Sequence, residues 1–124
     1  MKSYTDLEQS KMLAEILPIE SADMWWNESK DYPELFKTYH EYYSISIPPI
    51  PTWSLASLLE ILPDEIIDDN DDKIQIDIRK YDLKYLIAYR NDLNWSDTIS
   101  TDEYDNLVDA CVEMILKLHE EILL

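Results

Sequence analysis

Oxygen-bearing side chains recur in one polar stretch at the spacing of a calcium-binding loop. Counted from Asp92 as position 1, Asn94 and Ser96 stand at positions 3 and 5 and Glu103 at position 12. These are the positions of calcium ligands in an EF-hand loop. The sixth position is Asp97, where the sharp turn of an EF-hand requires glycine, and a strand pattern rather than a helix precedes the stretch. These departures favour a polar connector that matches the spacing by accident.

The single cysteine and the two histidines do not form a catalytic pattern. Cys111 lies in an apolar helical stripe without a nearby basic residue to stabilise a thiolate, so packing is favoured over nucleophilic catalysis. His40 and His119 are far apart, and His119 falls near a helix end, where it suits the helix dipole. The chain has no glycine, which excludes a P-loop, a dinucleotide fingerprint and a nucleophile elbow. We therefore expect no catalytic residue, no cofactor and no metal site.

Charge is the strongest compositional signal. The 27 acidic and 10 basic residues give a formal net charge of −17. Such a surface repels nucleic acid and anionic membranes and attracts a partner with a basic surface. Residues 64–72 hold six acids and predict an exposed loop. Its cluster at 68–72 either gathers a hard cation, stays solvated or folds back towards basic side chains of the following segment.

Half of the aromatic residues fall between positions 24 and 43, and this segment is the candidate binding surface. Tryptophan and tyrosine bring large contact area at low entropic cost and are enriched at interfaces. We assign Trp25 and Trp26 to the core. The candidate partner-binding residues are Tyr32, Tyr39, Tyr42 and Tyr43. Pro33 is predicted to open a short helix, and residues 43–47 alternate like a short strand.

Apolar periodicity predicts three helices. The first runs over residues 6–17 with a capping box of Thr5 and Glu8. The second is capped by Thr52 and ends at Pro63, and the third begins at Asn106 and has a wide apolar face. We expect the apolar face of the second helix to meet both the third helix and the isoleucine face of a hairpin at 73–90. This face consists of Leu55, Leu58, Leu59 and Leu62.

Alternating isoleucines predict a β-hairpin over residues 73–90, with a turn at 80–82 and a possible third strand at 95–99. Its core face carries Ile74, Ile76, Ile78, Leu83, Tyr85, Ile87 and Tyr89, and its opposite, basic face carries Lys73, Arg79, Lys84 and Arg90 against Asp77. Without glycine, left-handed turn positions are expected at Asn27, Asn70, Asn91 and Asn94. The elements indicate one α+β domain over residues 1–124, with about three helices packed on one face of a small antiparallel sheet.

Three stretches carry a resemblance to a known family. They read QSKMLAEILP at 9–18, continuing to Met24, IPTWSLASLL at 50–59, continuing to Pro63, and NLVDACVEMI at 106–115. In their order and spacing they resemble a family of small uncharacterised proteins encoded by prophages and mobile elements of gut Bacteroidales. Relatives tend to have proline after the capping asparagine, where this chain has Leu107, a change that keeps the helix start but weakens its preorganisation. The resemblance implies origin and fold rather than chemistry.

These observations favour a non-enzymatic accessory protein of a phage or mobile element that binds a protein partner through an acidic and aromatic surface. The alternative is an acidic mimic of DNA that inhibits a host nucleic-acid-binding protein, which would need carboxylates laid out like phosphates. An enzyme that uses the scattered carboxylates is less favoured, because no site assembles from their spacing. The chain has no long apolar run and no apolar stretch at its start, so we expect a cytoplasmic location.

Overall fold

The computed structural model describes residues 2–26, 32–35, 50–121 and 123. Across these ranges the chain forms three α-helices, a short 3₁₀ helix and two antiparallel sheets, so the predicted α+β class is confirmed. In chain order the elements are α1 (Leu7–Ala14), the 3₁₀ helix (Ile19–Ser21), β1 (Met24–Trp26), β2 (Glu34–Leu35), β3 (Ile50–Thr52), α2 (Leu55–Ile61), β4 (Glu65–Ile67), β5 (Lys73–Tyr81), β6 (Lys84–Asn91), β7 (Asp97–Ser100) and α3 (Leu107–Glu120). None of the described helices combines the length and apolar character that a membrane crossing requires.

The strands form two sheets where the sequence predicts one. The larger has the order β4-β5-β6-β7, with the predicted hairpin β5–β6 at its centre and the predicted third strand at Asp97–Ser100. The smaller has the order β2-β1-β3. Its strands are only two or three residues long, and β3 contains Pro51, so they lack the alternation that marks a strand in sequence.

Two segments are strands where the sequence predicts other structure. Glu34–Leu35 is extended and pairs with β1, although Pro33 was expected to open a helix. Glu65–Ile67 lies within the predicted acidic loop but pairs with β5, and Ile66 is buried opposite Ile74. The short strand predicted at 43–47 lies outside the described residues.

The first helix begins one residue later than predicted, because its N-cap is Asp6 rather than Thr5. Asp6 Oδ1 accepts a hydrogen bond from Gln9 N at 2.8 Å, and Gln9 Oε1 accepts one from Asp6 N at 3.0 Å, which completes a capping box. Thr5, predicted to form this box with Glu8, is instead fully buried, and its hydroxyl lies 2.8 Å from Ser10 Oγ. Tertiary burial therefore overrides the local capping pattern.

The second helix also begins later than predicted. Ser54, rather than Thr52, is its N-cap and accepts a hydrogen bond from Ser57 N at 3.2 Å. Thr52 is the last residue of β3 and is buried. Ser54 is held in turn by the Asp23 carboxylate, which accepts hydrogen bonds from its hydroxyl and from its backbone N at 2.8 Å. The predicted Asn106 cap of α3 is confirmed, with its Oδ1 2.9 Å from Asp109 N.

Helix α3 is the centre of the hydrophobic core. It contacts β6, α1 and α2, whereas α1 also contacts β3 of the smaller sheet. Leu58 and Leu62 of the predicted leucine face are buried in this core, and Leu55 and Leu59 pack against it partly buried. The buried residues of α3 are Val108, Ala110, Cys111, Val112, Met114, Ile115 and Leu118.

The inner face of the hairpin follows the prediction only in part: Ile78, assigned to the core face, is 44% exposed, and Leu86 and Ala88 of the opposite face are buried. Ile74, Ile87 and Tyr89 are fully buried, and the Tyr89 hydroxyl donates a hydrogen bond to the Pro63 carbonyl at 2.6 Å. Leu83 was assigned to this face, but the turn is formed one residue later than predicted, and the side chain is 81% exposed.

The predicted basic face of the hairpin is an ion-pair network. Arg79 donates to both carboxylate oxygens of Asp97, at 2.9 and 2.6 Å, and to Asp77 at 2.7 Å. Lys84 donates to Asp105. The hydrogen bonds from Arg79 hold the pKa of the Asp97 carboxyl below its usual range. Arg79 and Lys84, predicted for this face, are therefore paired with carboxylates, because β7 and the segment after it bring Asp97 and Asp105 beside β6.

Four described residues have left-handed backbone conformation. They are Asp71, Asp82, Leu83 and Trp95, with φ of 62°, 51°, 64° and 61°. The asparagines predicted for this role do not take it at positions 70, 91 and 94, and Asn27 lies outside the described residues. Left-handed geometry is unfavourable for bulky side chains, so Leu83 and Trp95 carry a local conformational cost.

Replacing Leu83 with glycine should raise the free energy of unfolding by about 1 kcal/mol. Asp82 and Leu83 connect the paired residues Tyr81 and Lys84 with φ > 0 at both positions, the pattern of a type I′ turn that favours glycine second. The side chain is exposed, so its loss removes little packing. Urea unfolding measures the change. The control Leu83→Ala keeps Cβ and should change stability by less than about 0.5 kcal/mol; an equal gain from both substitutions would contradict the turn-strain explanation.

Candidate binding surface

The aromatic residues predicted from sequence are only partly within the described ranges. Tyr32 is 55% exposed. Tyr39, Tyr42 and Tyr43 lie outside the described residues. Trp25 is buried in β1, as predicted for a core residue, whereas Trp26, also assigned to the core, is only half-buried.

The calcium-like stretch is divided between a turn and a strand. Asp92 lies 3.6 Å from the Arg90 guanidinium, and Glu103 accepts a hydrogen bond from the Tyr81 hydroxyl. Asn94 Oδ1 accepts a hydrogen bond from Ser96 N at 3.0 Å. β7 separates the turn at 92–96 from Glu103 along the chain. The side-chain oxygens of the turn and of Glu103 therefore have different partners. Among the described residues, no group of three or more His, Cys, Asp or Glu side chains is arranged to hold a metal ion.

Cys111 and His119 occupy the positions that the helical pattern predicts. Cys111 is fully buried in α3, and burial raises the pKa of its thiol to about 12, so it is protonated at neutral pH. This environment suits packing rather than nucleophilic attack. His119 is exposed in the last turn of α3, and His40 lies outside the described residues.

The acidic cluster at 68–72 forms a compact turn. The Asp68 side chain accepts hydrogen bonds from Asn70 N and Asp72 N, both at 2.9 Å, and Asp68 N donates to the Asp72 carbonyl at 2.9 Å. Asp69 and Asp71 are exposed on this turn. The Asp68 side chain therefore holds the backbone of the turn in place, and the turn exposes the carboxylates of Asp69 and Asp71.

Asn91 joins this acidic turn to a second turn after β6. Its side chain is buried, donates from Nδ2 to Asp72 at 3.1 Å and accepts at Oδ1 from Leu93 N at 2.8 Å. Its backbone accepts from Trp95 N at 2.8 Å and donates to the Ser96 carbonyl at 2.9 Å. One buried amide thus fixes the relative position of the two turns at the same end of the larger sheet.

The second turn exposes two large apolar side chains. Leu93 is 81% exposed and Trp95 is 70% exposed. The Arg90 guanidinium lies 4.5 Å from the Trp95 ring centroid, a cation–π contact, and is itself paired with Asp92 at 3.6 Å. The Arg90 guanidinium therefore contacts the indole, while most of the Trp95 side chain remains exposed. We call residues 68–72 and 92–96 together the two-turn surface.

Sequence reasoning missed Leu93 and Trp95. The available signal was a leucine and a tryptophan placed between turn-forming residues, but Trp95 was assigned to the start of the predicted third strand, which begins at Asp97 instead. That pattern indicates apolar side chains without a core to enter. It does not show which other segment lies beside them, because the link through Asn91 joins residues 19 positions apart.

The two-turn surface offers apolar contact area and negative charge. Asp69, Asp71 and Asp92 are exposed on it, and Lys73 is an exposed cation adjoining the first turn. Comparison with protein-family models, curated proteins and solved structures finds no match.

Proposed function

We propose that this chain is a non-enzymatic accessory protein of a phage or mobile element that binds a protein partner with a basic surface, using the two-turn surface. The observation that supports this most directly is the exposed, oriented Trp95 beside the acidic turn. The resemblance of three sequence stretches to mobile-element proteins of gut Bacteroidales motivates the biological context. Tyr32, Tyr39, Tyr42 and Tyr43 are further candidate contacts of the same partner.

The distribution of charge favours a basic partner. Four half-buried basic residues are already paired with carboxylates of this chain, namely Lys2, Arg79, Lys84 and Arg90. Most of the acidic excess therefore faces solvent without compensation from these cations. Such a field speeds association with a positively charged surface and disfavours partners of like charge. Binding is accordingly expected to weaken as salt rises.

Trp95 has the properties of an interface hot spot. Tryptophan is enriched among residues that dominate binding energy, because its large rigid ring buries much area at low entropic cost. The contact with Arg90 removes part of the ordering cost before binding. Its left-handed backbone carries a conformational cost, and its exposure brings no core burial in return. A role in contacting a partner accounts for both features.

Removing the two apolar side chains should weaken partner binding at least about 10-fold, since hot-spot truncations typically cost 2 kcal/mol or more. The experiment captures binding proteins from a Bacteroidales lysate on the immobilised wild type and identifies a stoichiometric partner. The purified partner is then titrated against wild type and the Leu93→Ser/Trp95→Ser variant by calorimetry. Titration at two salt concentrations measures the electrostatic contribution.

The matched control is Leu83→Ser, which removes an equally exposed leucine from a left-handed turn at the other end of β6. It should retain wild-type affinity. Equal loss in the control and the double variant would contradict the proposed surface. If the captured partner also binds DNA, and duplex DNA displaces this chain from it, the result would support the DNA-mimic function instead.

A further inference from the structure

A second open surface lies between α1 and α3. Asp6, Gln9 and Met12 line one wall, at the three-residue spacing that places them on one face of α1 and its cap. The other wall includes Asp109 and Leu116, seven residues apart on one face of α3. Each wall therefore extends about 10 Å along its helix axis, close to two helical turns.

The two walls run in the same direction. Lys2 Nζ lies 3.1 Å from Asp6 and 2.8 Å from Asp109, and Gln9 Nε2 donates to Asp109 at 2.8 Å. These contacts join the beginnings of both helices at one end of the groove. Met12 and Leu116, further along each helix, form its other end, and Met12 is 45% exposed. The groove is thus polar at one end and apolar at the other.

The charges of the groove favour a cationic ligand. Asp6, Asp109 and Glu113 line it, with Lys2 as the cation among its lining residues. Burial alone would raise the pKa of Asp109, but hydrogen bonds from Lys2 and from neighbouring amides hold that pKa below its usual range. Asp109 therefore remains a carboxylate at neutral pH, and the groove keeps an excess of negative charge.

We propose that the groove between α1 and α3 binds a cationic amphipathic helix of a partner protein. Apolar side chains of such a helix would contact Met12 and Leu116, and its lysines or arginines would approach Asp6 and Glu113. Helices recognised in grooves present anchors at i, i+3 or i+4 and i+7, a span that matches the two-turn length of the walls. A second copy of this chain is disfavoured as the occupant because both copies carry −17.

This surface is distinct in its residues from the two-turn surface and does not rest on the function proposed for it. The probe is a synthetic helical peptide with leucines at i, i+3 or i+4 and i+7 and lysines flanking them. A second peptide has glutamate in place of every lysine. Binding of each labelled peptide to the full chain is measured by fluorescence anisotropy.

The discriminating variant is Met12→Lys, which places a cation in the apolar end of the groove. It should lower the affinity for the lysine peptide at least about 10-fold, because like charges repel and an apolar contact is lost. The control is Ala14→Lys, on the same helix, which makes the same change in net charge at an exposed position outside the groove lining. It should change affinity less than about 2-fold, as expected for a charge largely screened by salt.

Three outcomes would overturn the inference. The first is equal weakening by Met12→Lys and Ala14→Lys, which would assign binding to net charge alone. The second is failure of the lysine peptide to bind more tightly than the glutamate peptide. The third is a dimer of the wild type that Met12→Lys dissociates, as observed by analytical ultracentrifugation, since the groove would then hold a second copy. Circular dichroism of both variants verifies that the helices are retained.

Discussion

Replacing Trp53 with alanine should lower the free energy of unfolding by about 3–5 kcal/mol, the range for large aromatic residues removed from a core. Trp53 is fully buried between β3 and α2. Its indole Nε1 donates to Ser21 Oγ at 3.0 Å, and its backbone carbonyl accepts from Thr5 N at 3.0 Å. The side chain thus fills the core where the amino-terminal segment, the 3₁₀ helix and the start of α2 meet. Urea unfolding followed by circular dichroism measures the change.

The matched control is Trp95→Ala, which removes the same side chain from an exposed turn. Its effect on stability should be below about 1 kcal/mol, because it creates no cavity. If Trp53→Ala does not fold, Trp53→Phe provides the measurement, since it keeps most of the volume and loses the hydrogen bond to Ser21. Equal destabilisation by the alanine substitutions at both tryptophans would contradict the burial argument.

Replacing Thr5 with valine should lower the free energy of unfolding by about 1–3 kcal/mol, although valine has nearly the same shape. The Thr5 hydroxyl lies 2.8 Å from Ser10 Oγ and accepts a hydrogen bond from Trp53 N at 3.2 Å. Valine leaves the Trp53 N–H without this acceptor in a buried site. Ser10 then keeps the Thr52 hydroxyl as a hydrogen-bonding neighbour, at 3.5 Å. The loss therefore comes from desolvated polar groups rather than from packing.

Two comparisons test this origin. Thr98→Val makes the same substitution at an exposed position of β7 and should change stability by less than about 0.5 kcal/mol. In a double-mutant cycle, Ser10→Ala should cost less in the Thr5→Val background than in the wild type, because the two hydroxyls contact each other. Additive losses would indicate that they act independently.

Several features of the fold follow from local sequence patterns. The isoleucine alternation predicts β5, and the apolar stripe after Asn106 predicts α3, because an element that buries one face must repeat apolar residues at its own period. The Asn106 cap is confirmed for the same local reason, since its side chain bonds the third residue of its own helix at Asp109. These signals require no knowledge of distant segments.

Helix starts and the smaller sheet depend on distant segments. Thr5 and Thr52 are both good capping residues by type, yet both are buried. Thr5 contacts the Trp53 backbone after β3, and Thr52 of β3 contacts Ser10 of α1. The N-caps are therefore Asp6 and Ser54. A local pattern ranks capping residues by chemistry. It contains no information about which hydroxyl a neighbouring strand will bury.

By itself, the sequence determined the α+β class, the hairpin, the last helix, the buried thiol and the strongly acidic charge, because composition and periodicity are properties of the chain alone. Tertiary structure decided how the charges are distributed and which side chains stay outside. Arg79 of β5 is neutralised across β6 by Asp97 of β7, and Asn91 brings an acidic turn beside Trp95. Both results arise because folding places residues many positions apart within hydrogen-bonding distance, and such contacts leave no periodic trace in the sequence.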